Sequence, residues 1–110
     1  RNYGFDGPVL LLKTDGQGDE QWRKNFGDGE GYSVQQTVDG GFVVTGRNYG
    51  FDGPVLLLKT DGQGNEEWRK TFGNGWGNSV QQTVDGGFIV TGRDGNGVLV
   101  LLKTDGQGNI

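Results

Sequence analysis

The sequence predicts an all-β chain of stacked repeats, and three observations carry that prediction. Residues 1–46 and 47–92 are near copies that differ at seven of 46 positions, and residues 93–110 begin a third copy. Glycine occurs 24 times in 110 residues while alanine is absent, a composition poor in helix-forming preference. Each copy carries four short strand-like runs separated by glycine-rich turns. A period of this length marks a repeat architecture, in which a unit too small to bury its own apolar faces stacks on its neighbours.

The runs can be taken in order outwards from a common axis, as A to D. Run A is Ser33-Val34-Gln35-Gln36-Thr37-Val38, repeated at 79–84, and it alternates apolar and polar as a half-buried strand does. Asp39-Gly40-Gly41 follows, a tight-hairpin signal, because glycine reaches positive φ without steric cost. Run B is Phe42-Val43-Val44-Thr45, repeated at 88–91. Run C is Val9-Leu10-Leu11-Leu12-Lys13-Thr14, repeated at 55–60 and 98–104, and its unbroken apolar stretch reads as a strand covered on both faces. Asp15-Gly16-Gln17-Gly18 turns the chain into run D, Glu20-Gln21-Trp22-Arg23-Lys24-Asn25-Phe26, which sets Trp22, Lys24 and Phe26 on one side.

Four short antiparallel strands per 40–50 residues, joined by hairpins, describe one blade of a β-propeller. The chain holds two blades' worth of strands: repeat 1 over 1–46, repeat 2 over 47–92 and a partial repeat 3 over 93–110. It therefore reads C-D, A-B-C-D, A-B-C. Two blades cannot close a ring that takes four or more, and both ends would leave strand edges unpaired. Head-to-tail assembly with copies of itself, or flanking blades in a longer polypeptide, is the expectation. The absence of a starting Met fits an internal, processed or engineered start at Arg1.

The run Lys59-Thr60-Asp61-Gly62-Gln63-Gly64-Asn65-Glu66-Glu67-Trp68 resembles the C–D hairpin of quinoprotein-like (PQQ-type) propeller blades. The resemblance implies that Asp61, Gly64 and Trp68, and likewise Asp15, Gly18 and Trp22, lock adjacent blades together. The Asp-to-Gly gap is one residue shorter than that family's usual spacing. The whole unit is similar to the tandem blades of large bacterial and archaeal surface proteins, which implies an extracellular or cell-surface location. A fold of this kind hosts many activities, so the resemblance speaks for architecture before function.

Composition narrows the chemistry. Without Cys or His there is no disulfide, no catalytic triad of the usual kind and no ordinary zinc, haem or iron–sulfur ligand set. A net charge of −4 argues against nucleic acid or an anionic membrane as partner. No apolar stretch approaches the roughly 18 residues of a membrane-spanning helix. Asp15-Gly16-Gln17-Gly18-Asp19 has the alternation of a calcium loop, but Asp19 becomes Asn65 in the second copy, and a hairpin turn explains the motif. The glycines at 27, 29 and 31 are followed by a strand instead of the helix that a phosphate-binding loop needs. Glu66 and Glu67 are adjacent on a strand and point to opposite faces, so they do not form a catalytic pair. The expectation is a non-enzymatic protein with no cofactor and no metal.

The copies differ most on one rim. Asp28/Asn74, Glu30/Trp76 and Tyr32/Asn78 fall between runs D and A, and the third copy shortens the B–C connection to Asp94-Gly95-Asn96-Gly97. In an antiparallel A-B-C-D unit those two connections share one rim, whereas the nearly unchanged A–B and C–D turns share the other. The candidate ligand-binding face is therefore Tyr3, Phe5, Glu30, Tyr32, Asn48, Tyr49, Phe51, Asp52, Trp76 and Asn78, aromatic and amide groups suited to a carbohydrate or a peptide. Drift of loops after duplication would produce the same variation. The functional expectation is a self-assembling scaffold or multivalent adhesion module, recently amplified or designed. The rival is a fragment of a quinone-dependent dehydrogenase, which near-identical copies disfavour because one asymmetric site needs diverged blades.

Overall fold

The computed structural model describes residues 8–48 and 53–110. Among them the chain is all-β, without a helix. Its seven strands are β1 (Pro8–Thr14), β2 (Glu20–Gln36), β3 (Phe42–Asn48), β4 (Pro54–Thr60), β5 (Glu66–Gln82), β6 (Phe88–Asp94) and β7 (Leu99–Thr104). Each pairs antiparallel with the next, so one open sheet runs in sequence order from β1 to β7. The A–B and C–D turns lie where the glycine pattern puts them.

Runs D and A, read from the sequence as two strands and a connection, form one 17-residue strand in both copies. β2 changes partner part-way: Asp28 lies opposite Pro8 of β1, and Gly29 lies opposite Asn48 of β3. β5 switches likewise between Asn74, opposite Pro54, and Gly75, opposite Asp94. Gly27 (φ 89) and Gly73 (φ 72) sit just before each switch, where positive φ lets an extended chain veer from one ladder to the next. The middle of the molecule is therefore a ladder of residues 29–36, 42–48, 54–60 and 66–74 in that order.

The sheet folds over on itself, and β3 and β4 are covered on both faces. Val44, Leu56 and Leu58 join Val9, Leu11 and Phe26 in one core cluster, flanked by Trp22 and Phe42. Val43 and Leu57 face the other way and join Val80, Phe88 and Val90, flanked by Trp68, Phe72 and Leu102. The three consecutive leucines 56–58 are fully buried, as an unbroken apolar strand between two layers must be.

Successive copies are joined by the same contacts repeated. The Trp22 ring lies against Gly64 of the next copy, and Trp68 lies against Gly108 of the third. Each indole also meets a phenylalanine edge-on or tilted, Trp22 with Phe42 at 5.8 Å and Trp68 with Phe88 at 5.9 Å between ring centroids. Nearer the other end of the ladder, the Gln82 N–H donates to Gln35 Oε1 (2.8 Å) and the Val80 N–H to Ser33 Oγ (3.4 Å). The described residues occupy about 41 × 40 × 21 Å.

Candidate functional site

The rim predicted to vary is built by β2, β3 and β5. Glu30 and Tyr32 lie within β2 just past its change of partner, Asn48 ends β3, and Trp76 and Asn78 hold the matching places on β5. Glu30 is in register with Arg47, and Trp76 with Arg93. The Tyr32 hydroxyl donates to the Glu30 carboxylate, fixing one polar pair on this rim. Trp76 is half-buried and lines a crevice together with Val55, Val90, Val100 and Leu102. Asn78 is exposed. Tyr3, Phe5, Tyr49, Phe51 and Asp52, the other members of the predicted face, lie outside the described residues.

The opposite rim carries the turns. Asp15 Oδ1 accepts the N–H groups of Gln17 (2.8 Å) and Asp19 (3.0 Å), and Asp61 and Asp105 do the same in their turns. These carboxylates are thus turn-formers. No cluster of three or more acidic side chains among the described residues is placed to hold a metal ion. Asp39 accepts from the Thr37 hydroxyl, the Gly41 N–H (3.0 Å) and Lys59 Nζ (3.1 Å), and the Thr37 bond, then the Gly41 bond, then the lysine hold its carboxyl down at about 2. Asp85 is lowered by the equivalent trio of Thr83, Gly87 and Lys103.

Lysine placement tracks how complete each ladder is. The Lys59 side chain is 5% exposed and bonds both Asp39 and Glu67, whereas Lys103, whose strand pairs with no run D among the described residues, is 45% exposed and bonds Asp85. Lys13, whose strand pairs with no run B among the described residues, bonds Gln21 Oε1 (2.9 Å).

Sequence reasoning did not single out the groove at the β1 end. It measures about 240 Å³ and is lined by Leu10, Leu11, Gly31, Tyr32, Ser33, Val34 and Val44. Its counterparts one repeat later, Leu56, Leu57 and Val80, are buried. The signal was available, because β1 is a run C with no A–B hairpin ahead of it among the described residues.

Acid should weaken this structure in a defined window. The lowered carboxyl of Asp39 contributes stability that is complete above its ordinary value near 3.8 and lost as pH falls through about 2. Urea midpoints should therefore fall between pH 4 and 2. Asp39→Asn should be less stable at pH 7 and lose less over that interval. An unchanged acid slope in the variant would remove Asp39 from the explanation.

Searches of the sequence against protein-family models and against curated proteins found no match.

Proposed function

We propose that this chain is a non-enzymatic scaffold of propeller-type blades that assembles head to tail and presents a repeated rim to a carbohydrate or peptide ligand. The observation that carries this reading is the repeated interlock between copies, Trp22 on Gly64 and Trp68 on Gly108, combined with apolar faces left uncovered at both ends. The four-part ladder over 29–36, 42–48, 54–60 and 66–74 has the strand order of a blade, and its neighbours stack on it face to face. A large apolar surface at the end of a stack is a surface for another unit. Leu10 (51% exposed) and Val34 (53%) stand at one end, Leu99 (69%) and Leu101 (66%) at the other. Repetition of a weak rim contact on a closed ring raises avidity, because later contacts become intramolecular.

Native mass tests the reading. Light scattering coupled to size exclusion should show a sharp species at a whole-number multiple of 11.9 kDa. A folded chain that stays monomeric at high concentration would refute assembly.

A further inference from the structure

From the two unfinished ends of the sheet we infer that assembly proceeds by strand exchange: the free edge of β7 takes up residues 20–28 of a second copy, whose own β1 is released. The inference rests on the head-to-tail reading above and specifies its partner and its interface.

The molecule contains the finished version of this joint. β4 pairs on one side with β3 and on the other with the first part of β5. β7 has the first partner, β6, in the same register, Gly92 opposite Val100 as Gly46 is opposite Leu56, and its other edge has no partner strand among the described residues. The strand that this edge matches is the run paired with β1, since β1, β4 and β7 carry the same Leu-Lys-Thr-Asp-Gly-Gln-Gly ending. Carried over from the β4–β5 ladder, the register sets Val100 opposite Asn25, Leu102 opposite Arg23 and Lys103 opposite Trp22 of the second copy. Lys103 then meets Gln21 of that copy, the residue that already accepts from Lys13, and gains the second partner that Lys59 has in Glu67.

The exchange conserves the core and adds to it. Val9 and Leu11 of β1 pack on Val44, Leu56 and Leu58. Leu99 and Leu101 of β7 hold the same register positions and are exposed, so they replace Val9 and Leu11 in kind. The added part is β6 and the second half of β5, which come to lie over the groove beside Val34. There Ser79 and Gln81 can accept from the N–H groups of Val34 and Gln36 of the second copy, as Ser33 and Gln35 accept from Val80 and Gln82 within the chain.

β1 is the strand to leave because it is held by less. The turn after β7 is seated under Trp68 at Gly108, whereas nothing lies within 4 Å of the corresponding position on Gly18 after β1. Lys103 pairs with a carboxylate, while Lys13 bonds a neutral amide. With β1 released, each chain contributes one complete four-part ladder and the parts of a second that it shares with its neighbours, and rings of whole chains close without a surplus strand.

The chain has no cysteine, so introduced ones report cleanly. Val100→Cys and Asn25→Cys, made in separate full-length chains, mixed and oxidised, should give a disulfide-linked dimer, since opposed residues in an antiparallel ladder lie within disulfide reach. Leu10→Cys with Asn25→Cys in one chain ties β1 to its present partner. Oxidised, that double variant should fall to the 11.9 kDa monomer in light scattering and recover its assembled mass on reduction. Wild type that assembles, together with an oxidised double variant that stays assembled or a mixture that forms no cross-link, would overturn the exchange and leave the scaffold reading standing. Wild type that never assembles would overturn both.

Discussion

Leu57→Ala should destabilise the single chain by about 3–4 kcal/mol, while the same change at Leu101 should cost under about 1 kcal/mol. The two leucines hold equivalent places in the repeat, opposite Thr45 and Thr91 respectively. Leu57 is 0% exposed, packed with Val43, Val80, Phe88 and Val90, and truncation there removes apolar contact and leaves a cavity. Leu101 is 66% exposed, and water fills the space that its side chain vacates. Urea unfolding at a concentration low enough to keep chains apart would measure both. Equal costs would mean that burial between layers does not hold this molecule together. At higher concentration the Leu101 variant should also assemble less readily, because that leucine becomes core in the proposed joint.

The second large effect concerns two glycines with the same local sequence and nearly the same backbone. Gly18 has φ 85 and Gly64 φ 84, so alanine at either is strained by about 1 kcal/mol. At Gly18 that is the whole expected loss, because nothing lies within 4 Å of the added carbon. At Gly64 the added carbon would stand 2.7 Å from the Trp22 ring and 2.9 Å from Lys24 Cγ, and the two copies must separate to admit it. Overpacking of this kind adds roughly 1–3 kcal/mol. Gly64→Ala should thus cost about 2–4 kcal/mol against about 1 for Gly18→Ala, read as a difference in thermal or urea midpoints. Matching losses would place the whole effect in the turn and none in the contact between copies.

Much of this was legible from the chain alone, and the reasons are specific. Leu56-Leu57-Leu58 reads as a strand with no solvent face, and all three are buried. The Asp-Gly-Gly and Asp-Gly-Gln-Gly stretches read as turns because their carboxylates can bond the backbone two residues on, which Asp39 and Asp61 do. Gly27 was less transparent. A glycine-rich stretch reads as a loop, yet positive φ can equally steer an extended strand between partners, and the sequence carries no sign of which. Glu30 and Tyr32 could be placed on one rim by counting, whereas their mutual hydrogen bond could not.

By itself the sequence determined that the protein is made of β-strands, how long its unit is and where its hairpins turn, because these follow from side-chain period and local backbone preference. Only the tertiary structure decided which copies of identical residues matter. Leu11, Leu57 and Leu101 are the same residue at the same place in the repeat, yet their exposures are 8%, 0% and 66%. Burial is a property of what lies across the interface, and in a repeat chain that differs between the middle and the ends while the letters do not.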